Sequence, residues 1–334
     1  MTMITGGRPV RWAILGAGGI AAKVGADIAS SPSNEVVAIG ARDLDRARAL
    51  ADALAAPRAY GSYAELVADP DVDVVYVATT HAQHHEHATL ALRAGKPVLV
   101  EKAFTLNAAE AREVIALARA QQLFCMEAMW MRLNPLVRAA QQVVAEGGIG
   151  TVLSASADLS VLFAYDPGHR LFDLSAGGGA QLDLGVYSTT FAHLFLGTPE
   201  SVTATGSLAA TGADATIAMQ WGYPDDRYGH VGCSTRGRSP QLGTVVGTSG
   251  WLTIGTPFHH PDTLTVYRDD ELEVVNATVP GNGYGPQIDE VERCLREGLT
   301  ESPLVPLADT LAILQIMDEA RAQVGVRYPA DDRE

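Results

Sequence analysis

The chain has 334 residues, 47% of them hydrophobic, which is enough for two domains with full cores. Its 39 acidic residues against 24 Lys and Arg give a formal charge of −15, which argues against a nucleic-acid binder. No apolar stretch has the length of a membrane-spanning helix and no signal-peptide pattern opens the chain, so we expect no membrane partner. Cys125, Cys233 and Cys294 lack metal or redox spacing, which predicts reduced thiols in a cytoplasmic protein.

The first predicted element is a buried strand at residues 12–15, followed at once by a glycine-rich turn. Residues 16–21 read Gly-Ala-Gly-Gly-Ile-Ala, the spacing G-x-G-x-x-A, and a helical pattern follows. Gly16 permits a tight turn, Gly18 lets backbone N–H groups approach a pyrophosphate, and Ala21 keeps the helix close to its strand. A strand before the glycines and a helix after them predict a dinucleotide site rather than a simple turn. Its predicted contact residues are Gly16, Ala17, Gly18, Gly19 and Ile20.

Up to residue 127, short apolar runs alternate with helical stretches. The runs are Trp12–Leu15, Val36–Ile39, Val72–Ala78, Val98–Val100 and Leu123–Met126. The helical stretches are Ile20–Ala29, Asp45–Leu54, Tyr63–Ala68, Gln83–Ala94 and Ala108–Ala120. This alternation implies right-handed crossovers and a parallel, doubly wound sheet. We predict an α/β Rossmann domain over residues 1–128.

The end of the second predicted strand bears on the choice between NAD and NADP. An NAD site needs a carboxylate there to accept ribose hydroxyls. Here Ala41 holds that position and Arg42 follows, which suits the 2′-phosphate of NADP, with Arg46 as a further cation one helical turn later. The alternative is a solvated Arg42 with Asp43 on the ribose, although Asp43 is equally a candidate helix N-cap. We predict that Ala41, Arg42 and Asp43 contact the cofactor, which is NADP, with NAD less favoured.

After residue 150 the sequence changes to longer alternating runs rich in Thr and Val, such as Thr151–Leu159 and Ser201–Leu208. This pattern predicts an α+β domain with a large, mostly antiparallel sheet. Predicted helices at Ser188–Leu196, Pro286–Arg296 and Leu307–Val324 would cover one face of it. The other face would stay open, which favours a homodimer. We predict that residues 129–334 form a substrate-binding and dimerisation domain.

Several motifs occur in an order that resembles a known family. They are the glycine turn and the segments Ala78–Ala88, Ala94–Lys102, Gly177–Tyr187 and Gly247–Trp251. The set is similar to the glucose–fructose oxidoreductase/inositol dehydrogenase (Gfo/Idh/MocA) family over nearly the whole chain. Finer motifs at 41–44, 59–63, 126–132 and 301–307 resemble its dimeric dihydrodiol dehydrogenase and NADP-dependent D-xylose dehydrogenase branch.

The resemblance implies NADP-linked hydride transfer from a hydroxyl-bearing carbon of a sugar or cyclic diol. The runner-up among enzymes is a keto-sugar reductase of the anhydrofructose type. Outside enzymes, the alternative is a non-catalytic NADP-binding sensor, because a fold does not fix a function. The presence of Lys102, Asp183 and Tyr187 together favours catalysis, since a sensor needs no acid–base pair.

Hydride transfer requires a base within reach of the substrate hydroxyl. Lys102 follows a buried strand, at the edge of a parallel sheet where ligands bind. Asp183 and Tyr187 are four residues apart and would share a helix face. An ammonium group near Tyr187 would lower the pKa of its phenol. The family's matching pattern carries a Lys, then an Asp with His or Tyr four residues later, although Ala103 stands where the family commonly has Pro.

Four histidines, His81, His84, His85 and His87, lie within seven residues and raise the question of a metal site. No nearby Cys or second carboxylate cluster completes one, so we predict no metal. We expect His85 and His87 on the helix surface. The remaining predicted cofactor contacts are Thr79, Thr80, His81, His84, Glu101 and Lys102. The predicted substrate contacts are Lys102, Asp183, Tyr187 and Trp130, the last either stacking on a ring or packing in a hinge core.

Overall fold

The computed structural model describes residues 7–332. The first six residues, where no signal peptide is predicted, and the last two lie outside this range. The chain forms two compact units. One holds the chain up to Trp130 together with Val279–Thr310, and the other holds Met131–Thr278 and the chain from Leu311. The predicted division into a cofactor-binding domain, residues 1–128, and a substrate-binding and dimerisation domain, residues 129–334, stays a prediction.

The first unit contains a six-stranded sheet in the order β3-β2-β1-β4-β5-β6. Its strands are β1 (Val10–Leu15), β2 (Asn34–Gly40), β3 (Arg58–Tyr60), β4 (Val74–Val77), β5 (Val98–Val100) and β6 (Cys125–Glu127). Every pairing is parallel, which confirms the doubly wound sheet. The short edge strand β3 was not predicted, because its three half-buried residues form no apolar run. The chain reverses strand order beside β1, which makes the carboxyl end of β1 the expected ligand crevice.

The helices between β1 and β6 follow the predicted stretches closely. They are α1 (Gly19–Ser30), α2 (Leu44–Ala53), α3 (Tyr63–Val67), α4 (His84–Arg93) and α5 (Ala108–Ala120). Sequence-local capping sets some of their ends: the Asn107 side chain accepts the Glu110 N–H at 2.8 Å and so starts α5. A helical-period prediction works here because both the cap and the apolar stripe are local features.

The second unit contains an eight-stranded sheet in the order β14-β13-β12-β11-β7-β10-β9-β8. Its strands are β7 (Val152–Ser160), β8 (Ser201–Leu208), β9 (Asp214–Gly222), β10 (Tyr228–Ser234), β11 (Gly243–Gly247), β12 (Gly250–Ile254), β13 (Thr263–Arg268) and β14 (Glu271–Asn276). β7 pairs with β10 in parallel, and the other pairings are antiparallel. The predicted large, mostly antiparallel sheet is confirmed.

The remaining helices are α6 (Pro135–Ala145), α7 (Val186–Leu196), α8 (Gly285–Glu297) and α9 (Leu307–Val324). α7 packs on β7, β10 and β11, and α6 packs on β12 and β13. The prediction that the helix at 286–296 covers this sheet is wrong. It belongs to the first unit and contacts α1, where the Asp27 carboxylate accepts the N–H groups of Asn282 and Tyr284 at 2.9 Å each.

The two faces of the second sheet differ in exposure. Cross-strand partners Val266, Leu252, Val245, Ala155 and Trp221 form a buried row on the face that carries α6 and α7. The opposite face, called the open face below, carries the row Leu272, Tyr267, Trp251, Val246, Ser154 and Tyr228, in which the small Ser154 is buried. Leu272, Val246 and Tyr228 on this row are exposed. None of the helices within residues 7–332 has the length and apolar character needed to cross a membrane.

Candidate active site

The glycine turn lies at the carboxyl end of β1. Gly16 has φ +114°, and a Cβ added there would lie 2.5 Å from the Ala78 carbonyl oxygen, so the position requires glycine. Gly18 is the N-cap of α1, whose first N–H groups donate no hydrogen bond to a capping side chain. A Cβ added at Gly18 or Gly19 would meet no atom within 4 Å. An open helix N-terminus beside a tight turn suits a pyrophosphate, because its N–H groups and dipole favour an anion.

Asp43, just after β2, serves as the helix cap that the sequence allowed, while its predicted contact with the cofactor stays a prediction. Its carboxylate accepts the N–H groups of Asp45 at 2.9 Å and Arg46 at 3.3 Å, and so caps α2. Ala41 is buried and holds no carboxylate at the predicted ribose position. Arg42 is exposed. The Arg46 guanidinium donates to the carbonyl oxygen of Ala17 in the glycine turn at 2.8 Å.

Two cations therefore lie at this end of the unit. Burial raises the pKa of the Tyr63 phenol, and the charges of Arg42 and Arg46 oppose that rise. Two guanidinium groups, Arg42 and Arg46, lie after β2, and Ala41, the first residue after that strand, carries no carboxylate that would repel a phosphate. This arrangement fits the 2′-phosphate of NADP.

The segment after β4 is held by two buried histidines. The His84 ring lies 2.8 Å from the Ala103 carbonyl oxygen through Nδ1 and 3.2 Å from the Thr79 carbonyl oxygen through Nε2. Burial lowers the pKa of His84 to about 3, so the ring is neutral and its single N–H donates to one of these two carbonyl oxygens. His87 lies 3.0 Å from the Thr79 hydroxyl and packs edge-on against Tyr63. Thr79 therefore contacts His84 through its carbonyl oxygen and His87 through its hydroxyl group.

The predicted surface position of His87 is wrong, because its ring is only 5% exposed beneath α3. His85 instead pairs with Glu113 at 2.8 Å on the exposed side of α4. His81 is buried with its ring 5.6 Å from that of His84, and Thr80 precedes it at the start of the turn. Within the described range, no group of three or more His, Cys, Asp or Glu side chains is arranged to hold a metal ion.

Glu101 and Lys102 follow β5 at the same edge of the sheet. Glu101 is 6% exposed, and burial raises the pKa of its carboxyl to about 7. It accepts hydrogen bonds from the Tyr76 hydroxyl at 2.5 Å and from the Lys102 N–H at 3.2 Å. Lys102 itself is half-buried, and the peptide bond from it to Ala103 is cis. The chain therefore presents an ammonium group and a buried carboxyl side by side.

Trp130 is partly exposed at the end of the first segment of this unit. Its ring packs on Tyr284, with the ring centroids 4.5 Å apart and the planes inclined by 36°. The Asp27 carboxylate fixes Tyr284 through its backbone N–H. One side of the Trp130 ring is therefore occupied by protein.

Asp183 and Tyr187 lie in the second unit on one continuous helical segment. Residues Gln181–Gly185 form a π-helical turn that leads directly into α7. The Arg170 guanidinium nitrogens each lie 3.2 Å from the Asp183 Oδ1 atom. Tyr187 is 7% exposed, and its ring centroid lies 4.8 Å from that of His259. Asp183 and Tyr187 therefore lie on one helical segment, as the sequence predicted. Asp183 forms an ion pair with Arg170, and Tyr187 packs against the imidazole of His259.

Comparison with known proteins identifies the family. The model of the oxidoreductase family with an NAD-binding Rossmann fold matches residues 10–129, and that of the Gfo/Idh/MocA C-terminal domain matches residues 137–253. The chain belongs to the Gfo/Idh/MocA oxidoreductase family. The mouse trans-1,2-dihydrobenzene-1,2-diol dehydrogenase is 40% identical, over 97% of this chain and 99% of that protein.

Two solved structures share the fold of this Gfo/Idh/MocA chain. A 3-ketoreductase from Actinomadura kijaniata, in complex with NADP and TDP-benzene, has a TM-score of 0.84 at 24% identity. An aldose–aldose oxidoreductase from Caulobacter crescentus has a TM-score of 0.87 at 22% identity. Each comparison covers 95% of this chain and 98% of the other.

Sequence reasoning missed the side chains that support the predicted ones. Tyr76 supports Glu101, Tyr284 supports Trp130, and Arg170 and His259 contact Asp183 and Tyr187, respectively. These partners are 25 residues away for Glu101 and 13 for Asp183, and more distant still for the others. No local pattern predicts such pairs, because they meet only after the strands and loops have packed.

Proposed function

We propose that the chain is an NADP-dependent dehydrogenase that transfers hydride between the nicotinamide and a hydroxyl-bearing carbon of a sugar or cyclic diol. The observation that carries the cofactor choice is the use of Asp43 as the cap of α2, beside the cations Arg42 and Arg46. The 3-ketoreductase that shares the fold was solved with NADP. The diol named for the 40% identical mouse dehydrogenase supports the substrate class.

NADP, when bound, supplies the hydride acceptor. The proposed contacts to its pyrophosphate are Gly16, Ala17, Gly18, Gly19 and Ile20, where the N-terminus of α1 is open. Ala41 leaves room at the ribose, and Arg42 pairs with the 2′-phosphate. Thr79, Thr80, His81, Glu101 and Lys102 contact the nicotinamide ribose and ring. His84 supports this segment through its contacts with the Ala103 and Thr79 carbonyl oxygens, to one of which its single N–H donates.

The acid–base step is assigned to Lys102, Asp183 and Tyr187. Tyr187 takes the proton of the substrate hydroxyl, because hydride departure requires that proton to leave. The Lys102 ammonium favours the phenolate form of Tyr187 and hydrogen-bonds the reacting oxygen. Asp183 orients the substrate while Arg170 restrains its carboxylate. Trp130, whose ring packs on Tyr284 and is partly exposed, contacts the substrate.

Residues 1–128 are proposed as the cofactor domain and residues 129–334 as the substrate and dimerisation domain. The open face supports a homodimer, because a row of exposed or half-exposed large side chains crosses the sheet. A cytoplasmic setting is supported by Cys125, Cys233 and Cys294, which are buried free thiols.

The test is a turnover assay on the full chain. The fluorescence of the reduced cofactor, NADPH or NADH, is followed with NADP and, in parallel, with NAD across aldoses, inositols and trans-dihydrodiols. We expect NADP-dependent oxidation of at least one sugar or cyclic diol. Turnover restricted to the reverse reaction with keto sugars would favour a reductase of the anhydrofructose type. NADPH binding without turnover of any substrate would overturn the proposal in favour of a sensor.

A further inference from the structure

Asp214, the first residue of β9, is a carboxylate buried to 1% exposure in the second unit. Its Oδ2 atom accepts the backbone N–H of Gln181 at 2.6 Å. Gln181 is the first residue of the π-helical turn that carries Asp183 and leads into α7 with Tyr187. A side chain from the sheet therefore caps the helical segment that bears both proposed reaction residues.

The chain before this turn fits closely around the carboxylate. Gly179 has φ +137°, and a Cβ added there would overlap the Asp214 carboxylate and approach the Tyr328 hydroxyl. The Tyr328 hydroxyl donates to the Gly178 carbonyl oxygen at 3.1 Å. Residues 178–181 are thus held at one end by a buried phenol and at the other by a buried carboxylate.

The surroundings of Asp214 explain why a carboxylate is costly there. Its Oδ1 atom has no hydrogen-bond partner. Burial raises the pKa of Asp214 to about 6, while the N–H groups of Gln181 and Ala180 and the charge of Arg321 oppose the rise. An unsatisfied buried carboxylate oxygen is unfavourable for folding. A helix N-terminus offsets this cost, because its N–H groups and dipole favour a negative charge.

We propose that Asp214 is a positioning residue: by fixing the Gln181–Gly185 turn it sets the orientation of Asp183 and Tyr187 toward the substrate. This inference rests on the proposed function, because it takes Tyr187 as the base. A displacement of about 1 Å at a reacting group costs about 10²-fold in rate. Loss of the hydrogen bond from Gln181 to Asp214 should therefore lower turnover more than it lowers affinity for the cofactor, because the proposed cofactor contacts lie in the first unit.

The experiment compares Asp214→Ala and Asp214→Asn with a matched control. Asp214→Ala removes the acceptor, and we expect kcat to fall by about 10²-fold while the Kd for NADPH, from fluorescence titration, stays at the wild-type value. Asp214→Asn keeps an acceptor oxygen, and we expect an intermediate kcat. The control is Tyr223→Phe, which removes the hydrogen bond from the Tyr223 hydroxyl to the Gly197 carbonyl oxygen (2.8 Å) at the opposite end of α7. We expect it to keep wild-type kcat.

The pH profile of kcat separates positioning from general destabilisation. In Asp214→Ala we expect the apparent basic pKa of turnover to shift, because Tyr187 is displaced, whereas Tyr223→Phe leaves it unchanged. Wild-type kcat and pH profile in Asp214→Ala, or equal losses in Asp214→Ala and Tyr223→Phe, would overturn the inference. If Asp214→Ala does not fold, wild-type kcat and pH profile in Asp214→Asn overturn it. Full activity of Tyr187→Phe would instead remove the assignment of Tyr187 as the base, and absence of turnover in the wild type would remove the proposed function.

Discussion

The hydroxyl group of Tyr76, on β4, donates a hydrogen bond of 2.5 Å to the Glu101 carboxyl just after β5. Both side chains are buried. Glu101 in turn accepts the Lys102 N–H, so the bond between neighbouring strands fixes the residue next to the proposed lysine. Burial raises the pKa of Glu101 to about 7 from the ordinary 4.5, with the Tyr76 bond and the Lys102 charge opposing the rise.

The first prediction concerns stability and pH. Because the pKa of Glu101 is higher in the folded protein, its contribution to the free energy of unfolding is complete below about pH 4.5 and is lost as pH rises through about 7. The loss amounts to about 3 kcal/mol. In Glu101→Gln this dependence disappears. Denaturant unfolding without cofactor at pH 5 and pH 8 measures it; identical pH dependence in wild type and Glu101→Gln would contradict the raised pKa.

The second prediction concerns the proposed base. Tyr187→Phe and Lys102→Met should each lower kcat by about 10²–10⁴-fold, the usual contribution of general acid–base catalysis, while still binding NADPH. Tyr223→Phe is the matched control, since it removes a phenol hydroxyl elsewhere in the same unit. Steady-state kinetics and fluorescence titration give both quantities. If Tyr187→Phe kept near wild-type kcat, Tyr187 would be a packing residue, and Asp183 would become the better candidate for the base.

The third prediction concerns cofactor preference. The double variant Ala41→Asp with Arg42→Leu should shift preference from NADP toward NAD, because a carboxylate repels the 2′-phosphate and accepts ribose hydroxyls. Asp43 stays as the cap of α2, so the helix is retained. Arg48→Leu is the control, because Arg48 is an exposed cation on the same helix that pairs with Asp45. The ratio of kcat/KM for the two cofactors decides; an unchanged NADP preference would move the specificity site elsewhere.

The fourth prediction concerns assembly. We expect light scattering at micromolar concentration to give twice the monomer mass of 35.2 kDa. Val246→Glu should dissociate the dimer, because it introduces a charge into the open face, where Val246 is 38% exposed. Leu153→Glu is the control: Leu153 is 39% exposed and lies at the β-bulge of β7, outside the row of paired residues that crosses the open face. A stable wild-type monomer, or dissociation by both variants, would argue against this interface.

The sequence by itself determined the Rossmann sheet, the glycine turn and the antiparallel second sheet. Each depends on local patterns: apolar runs of strand length, glycines at fixed spacing and caps such as Asn107. It also left Asp43 with two roles, ribose ligand or helix cap. Only the structure shows that the Asp43 Oδ1 atom caps α2, because the cap depends on the direction in which α2 leaves the strand.

Tertiary structure alone decided the features that join distant segments. It buried His87 beneath Tyr63, and it attached α8 to α1 through Asp27 rather than to the second sheet. It also brought the Asp214 carboxylate to the backbone N–H of Gln181, the first residue of the helical turn that carries Asp183. These two residues are 33 positions apart in the sequence. Periodicity records which face of an element is apolar, but not which element covers that face. That choice depends on packing and on buried hydrogen bonds between residues far apart in the chain.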